Sequence, residues 1–179
     1  MVNHTGNSGT SSPSDPGTEN SRLERVWAHL GEVMDPELPF LGVVEMGMIP
    51  RVYFDAGHVV VEVMPTYLGC PATDVIRQEV QNRLRSVEPD GEVRLVLTPP
   101  WTTDFITETA REKMRANGIA PPEGQQADRS FLLGKDRVIP CPRCRSSHTQ
   151  LVSAFGSTAC KAHYRCLECL EPFDHFKCI

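Results

Sequence analysis

Pro65-Thr66-Tyr67-Leu68-Gly69-Cys70-Pro71-Ala72 joins two stretches of different periodicity, and the fold is read from what lies on either side. Upstream, residues 58–64 (HVVVEVM) are rich in β-branched side chains, which suit the pleated surface of a strand. Downstream from Ala72, the residues Val75, Ile76, Gln78, Val80 and Leu84 give an amphipathic helix. The segment between is a strand-to-helix loop, and Pro71 stands where a helix begins. Cys70 is therefore expected at or beside the N-cap, facing unpaired N–H groups and the positive helix end, surroundings that favour a thiolate. Thr66 is placed to hydrogen-bond the loop or the sulfur. From local chemistry, Cys70 is a nucleophile, a redox thiol or one ligand of a transferred metal. The competing reading is a small buried apolar side chain.

Working outward, Asp55-Ala56-Gly57 is a turn, and residues 43–54 are apolar strand segments broken by Gly47 and Pro50. Ser21 with Glu24 forms a capping box for a first helix, whose stripe is Leu23, Val26, Trp27, Leu30 and Val33. Asp35-Pro36 ends it, because the residue before proline is pushed out of the α region. The loop Asp35-Pro36-Glu37-Leu38-Pro39 offers two carboxylates to bind a cation or orient Cys70; the plainer alternative is that Asp35 only turns the chain. Past the second helix, Gly91 opens a third strand over residues 92–97, stopped by Pro99-Pro100. Thr103 is expected to cap a third helix carrying Phe105, Ile106, Ala110 and Met114, with Gly118 at its end. Helix, strand pair, helix, strand, helix predicts an α+β domain over residues 21–118, a small sheet covered by helices. Residues 1–20, rich in Gly, Ser, Thr, Asn and Pro, are expected to be a disordered tail, and residues 119–137 a linker.

Residues 138–179 carry two knuckles, Cys141-Pro-Arg-Cys144 and Cys166-Leu-Glu-Cys169, with 21 residues between them. Such spacing builds a tetrahedral thiolate cage, and segments of about 40 residues usually need a metal to fold. Four thiolates suit Zn²⁺ or a single iron, the latter making a rubredoxin-like electron carrier. Cys160 and Cys178 are further thiols that could replace a ligand or form a second, labile site, and His148, His163 and His175 read as solvated. Phe155, Tyr164, Phe173 and Phe176 are expected to make this module's small core, independent of the first domain.

Net charge is −5. Residues 21–117 hold ten basic and fifteen acidic side chains, residues 118–179 eight and six. Four thiolates around Zn²⁺ add about −2, which cancels the basic excess of the tail and leaves no face for nucleic acid. The N-terminus shows no signal-peptide pattern, and no apolar run approaches the ~18 residues that span a bilayer. A cytoplasmic protein with metal or redox chemistry is expected.

The DPELP loop, the turn at Asp55 to Gly57, PTYLGCPA and the strand ending in Pro99-Pro100-Trp101 together resemble the domain of iron–sulfur cluster assembly factors, over roughly residues 22–117. That resemblance implies a role in maturing metal centres, with Cys70 in the position of the family's reactive cysteine and Asp35, Glu37 and Thr66 at its flanking polar positions. The tail strings FGSTACKAHYRC (from Phe155) and CLEPFDHFKC (from Cys169) are similar to the D-subunit family of phenylacetyl-CoA epoxidase, also called phenylacetate-CoA oxygenase. This implies an accessory subunit of a multicomponent di-iron oxygenase of phenylacetate degradation, not catalytic itself, which assists assembly or insertion of an iron or iron–sulfur centre. The other oxygenase subunits are then its partners. The chain has neither the paired Glu-x-x-His motifs of a di-iron bundle nor a nucleotide fingerprint. With the reductase on another chain, zinc at Cys141, Cys144, Cys166 and Cys169 is the expected structural ion. An electron-transfer subunit and a purely structural subunit are the alternatives. One cysteine cannot complete the coordination of a transient cluster, so Cys70 would borrow ligands from a second protomer, a partner or a small molecule.

Overall fold

The computed structural model describes residues 16–122 and 138–177. The first part holds α1 (Pro16–Leu30), β1 (Val52–Asp55), β2 (His58–Val63), α2 (Ala72–Val87), β3 (Glu92–Leu95) and α3 (Glu108–Ala116). The second sheet contains β4 (Ile119–Ala120), β5 (Thr149–Ser153), β6 (Lys161–Cys166) and β7 (Pro172–Phe176).

β1 and β2 form a hairpin in which Asp55 faces His58. Its two central residues, Ala56 and Gly57, both have positive φ, 49° and 87°. That geometry matches the right-handed twist of the flanking strands. β2 then pairs in parallel with β3, so the chain must cross over between them, and α2 is that crossover. β2 is the central strand, in the order β1-β2-β3, and is buried from Val59 to Val63. Val59, Val61 and Val63 enter the main core with Val26, Leu30, Ile76, Val80 and Leu84. Glu62 points the other way, and the Arg51 guanidinium bonds it at 2.8 Å. Gly47 (φ 68°) lets the 43–49 bend meet Phe105, since a Cβ there would lie 2.4 Å from the Phe105 Cβ.

Several sequence expectations are corrected. α1 starts at Pro16, not at Ser21, whose hydroxyl donates to the Thr18 carbonyl inside the helix. Proline is tolerated in a helix's first turn, so docking of Leu23 and Val26 carries the helix back to residue 16. The rest of the expected tail, residues 1–15, lies outside the described residues. In α2 the buried row is Ala72, Ile76, Val80 and Leu84; Val75 and Gln78 face outward, because a spacing of four keeps one side on the core. Thr103 opens a single 3₁₀ turn, and Thr107 caps α3 by accepting the Ala110 N–H at 3.2 Å.

The second sheet has the order β4-β7-β6-β5. β4 comes from the expected linker: Ile119 and Ala120 are apolar and buried, and they pair in parallel with Asp174 and His175. Gly118, at φ 75°, turns the chain out of α3 and straight into this strand. Residues 123–137 lie outside the described residues. The expected self-contained tail core is also corrected. Phe176 and Cys160 belong to the main core, with the Phe176 ring edge-on to Trp101 at 6.3 Å. Tyr164 and Phe173 stack in a smaller cluster with Ile139, Cys141 and Cys166, while Phe155 is exposed. His175 is buried rather than solvated, its Nδ1–H donating to the Ala120 carbonyl at 3.1 Å.

Candidate functional site

The two knuckles form the same turn twice. In each, the first cysteine's N–H donates to the carbonyl five residues on, Cys141 to Ser146 and Cys166 to Glu171. In each, the residue after the second cysteine takes a positive φ, 62° at Arg145 and 64° at Leu170. The four sulfurs consequently converge within 4.8 Å of one another, at 3.7 Å for Cys141–Cys169 and 3.5 Å for Cys144–Cys166. Metal–sulfur bonds of about 2.3 Å in a tetrahedron need sulfurs about 3.8 Å apart, so the residues fit one Zn²⁺-sized ion. Electrostatics agree. Backbone N–H groups of Cys169 and Glu168 bring the Cys166 thiol down to about 7. The Glu171 N–H also favours the Cys169 thiolate, but burial and three neighbouring sulfurs push that thiol up to about 12. Four sulfurs this close ionise together only around a cation.

The second candidate lies at the carboxyl end of β2, where the chain leaves the sheet for α2. Pro71 is the N-cap residue, already helical at φ −64° and ψ −24°, and half-buried Cys70 precedes it. The Cys70 N–H donates to the Tyr67 carbonyl at 3.3 Å, and its own carbonyl accepts the Thr73 N–H at 3.1 Å. Gly69 has φ 88° with open space around it, and Leu68 is 77% exposed. Thr66, Tyr67, Leu68, Leu97 and Trp101 line a shallow apolar groove of about 460 Å³ beside this loop.

Asp35 acts within its own loop. Its Oδ1 accepts the N–H groups of Glu37 at 2.7 Å and Leu38 at 3.0 Å, shaping the turn that presents Glu37. Glu37 in turn reaches Cys160, whose sulfur lies 3.8 Å from Glu37 Oε2 and 3.0 Å from the Thr158 hydroxyl. Burial raises the Cys160 thiol, Thr158 acts against this, and Glu37 adds to it. The Tyr67 hydroxyl is pushed up to about 12 by burial first, then by the sulfur of Cys70, and further by Cys160 and Glu37. Sequence reasoning named Cys70, Asp35, Glu37 and Thr66 but missed Tyr67 and gave Cys160 no place near them. Cys160 is 123 residues from Glu37, so only the fold brings them together. Cys178 lies outside the described residues.

Two families match the chain in tandem. Residues 23–95 match the family described as "Iron-sulfur cluster assembly protein", and residues 125–177 match "PaaD zinc beta ribbon domain". The chain is 42% identical over 162 residues to an Escherichia coli K12 protein described as the D-subunit of 1,2-phenylacetyl-CoA epoxidase, covering 88% of this chain and 94% of that one. It belongs to the epoxidase D-subunit family. Its first part is also 32% identical to the Bacillus subtilis "Fe-S protein maturation auxiliary factor YitW", over 52% of this chain and 93% of that protein. A crystal structure of a "Domain of Unknown Function DUF59" from Bacillus anthracis superposes with a TM-score of 0.50 at 26% identity, covering 54% of this chain and 94% of that one. An assembly-type α+β domain carrying a cysteine ribbon is thus the build of this D-subunit relative. No helix among the described residues is long and apolar enough to cross a membrane.

Proposed function

We propose that this chain is a non-catalytic maturation subunit of a multicomponent phenylacetyl-CoA oxygenase, acting in the cytoplasm on an iron or iron–sulfur cargo. The observation that carries this reading is the Cys70 loop: a half-buried thiol at a helix N-terminus, on a loop with an open glycine, in a domain similar to maturation factors. Cysteine sulfur is a soft ligand of the kind thiophilic metals take. Glu37, presented by the Asp35 turn, supplies a carboxylate beside Cys160. The exposed Leu68 and the apolar groove beside it offer a docking surface to the oxygenase component that receives the cargo.

Zinc held by Cys141, Cys144, Cys166 and Cys169 is then the structural ion of the ribbon, supplying the folding energy that its few apolar residues lack. A strain lacking this chain, complemented with wild-type or Cys70→Ser, tests the reading. The variant should keep its zinc and melting temperature yet fail to restore growth on phenylacetate. Full restoration by Cys70→Ser would remove Cys70 from the function.

A further inference from the structure

Among the described residues the two sheets have four edge strands, β1, β3, β4 and β5, and three of them are guarded against pairing with another chain. β1 lies against α1, with the Arg22 guanidinium 4.9 Å from the centre of the Phe54 ring. β3 carries Glu92 and Arg94, and the Gln81 amide oxygen accepts its Val93 N–H at 3.1 Å. β4 is two residues long and runs into Pro121-Pro122. Cover by a helix, charged side chains, short length and proline are the usual devices that blunt an edge. β5 (TQLVS), the outer strand of the ribbon sheet, has neither charge nor proline. It lies within residues 146–160, the longest stretch of the chain without Lys, Arg, Asp or Glu. Its one guard is a bulge between Leu151 and Ser153, which leaves Thr149 to Leu151 regular.

The Leu167 N–H donates to the His148 carbonyl at 2.8 Å, which turns the backbone groups of His148 and Gln150 toward β6 and those of Leu151 toward the open side. The Leu151 side chain stands beside Tyr164, and Tyr164 beside Phe173, in one row across β5, β6 and β7. Exposure along that row goes from 4% at Phe173 and 3% at Tyr164 to 38% at Leu151, so the apolar row runs off the edge unfinished. Going beyond the maturation reading and independently of it, we infer that β5 is a homodimer interface, two copies of this chain pairing antiparallel about a two-fold axis at Leu151. Leu151 then exchanges both backbone hydrogen bonds with its copy, and the two apolar rows join end to end. A two-fold axis sets each side chain near it against its own kind, where like charges repel, so an uncharged strand suits a second copy. A different protein would be selected by complementary charge, which this edge does not offer.

Sedimentation velocity of the full-length, zinc-loaded, reduced protein over about a hundredfold range of concentration tests this. The wild type should have the mass of two chains and fall toward one on dilution. Leu151→Lys sets two cations face to face and removes the apolar contact, so the dimer dissociation constant should rise at least about tenfold, with zinc content and circular dichroism unchanged. Mixing Leu151→Lys with Leu151→Glu chains should restore dimers, which a merely misfolded variant cannot do. Should Leu151→Lys lose zinc, Val152→Lys, at a 58% exposed position, must show the weakening instead. A single-chain mass at every concentration overturns the inference, and so does a dimer indifferent to both variants. A chain that stays single but loses an oxygenase contact on Leu151→Lys gives the edge to another protein and overturns self-pairing. None of these outcomes bears on Cys70, so the maturation reading stands or falls separately.

Discussion

Replacing Phe176 by alanine should destabilise the whole protein, although the residue lies almost at the end of the sequence. Its ring is 2% exposed and meets Trp101 edge-on at 6.3 Å, inside the core that also holds Val26, Ile76 and Met114. Trp101 cannot follow into the void, because its indole N–H is fixed to the Met46 carbonyl at 3.0 Å. Phe→Ala changes at such sites cost about 3–5 kcal/mol, the lost aromatic pair being part of that. For a protein of this size each kcal/mol moves the midpoint by roughly 2–4 °C, so about 4 kcal/mol lowers Tm by about 8–16 °C. Thermal unfolding of zinc-loaded protein, followed by tryptophan fluorescence and far-UV circular dichroism, reads this directly. The expected result is one transition at lower temperature with zinc content intact. If the main transition stayed in place and a separate early one appeared, the ribbon would be an independent module and the shared core would be wrong.

Two further outcomes follow from the ribbon and the ion pairs. Stripping zinc with a strong chelator, or Cys141→Ser, should loosen the ribbon and, through Phe176, lower the midpoint of the first domain; an unchanged midpoint after verified zinc loss would contradict the coupling. Arg22 holds the Glu88 carboxylate below its ordinary value of 4.5, with its Nε 3.0 Å from Glu88 Oε1. Folding therefore favours the ionised form, so this stabilisation is complete above the ordinary carboxylate range and is lost as pH falls through the lower folded value. Glu88→Gln should reduce stability near neutrality by about 1–3 kcal/mol and flatten the acid limb of urea midpoints against pH; parallel limbs would refute the pair's contribution.

The β2–loop–α2 unit was legible because its two periodicities change abruptly at PTYLGCPA, and the ribbon cage because CxxC spacing leaves few alternatives. What escaped was non-local. Pro16 to Asn20 reads as a flexible tail until the docked residues of α1 draw it into the helix. Ile119-Ala120, hidden among prolines, is too short for any pattern, and only its partner β7 makes it a strand. Of the two roles that local chemistry left open for Asp35, the structure describes the turn, and that turn presents Glu37. Cys160 carries no motif spacing toward Cys70, so its relation to Glu37 and Tyr67 is a property of the packed interface alone.

The maturation role of Cys70 is read from the iron content of the phenylacetyl-CoA oxygenase, purified from cells that express either the wild-type chain or Cys70→Ser. Oxygenase from Cys70→Ser cells is expected to be iron-poor and correspondingly inactive, and supplying iron and reductant in vitro should restore it. Oxygenase equally loaded with iron and equally active in both preparations would contradict it.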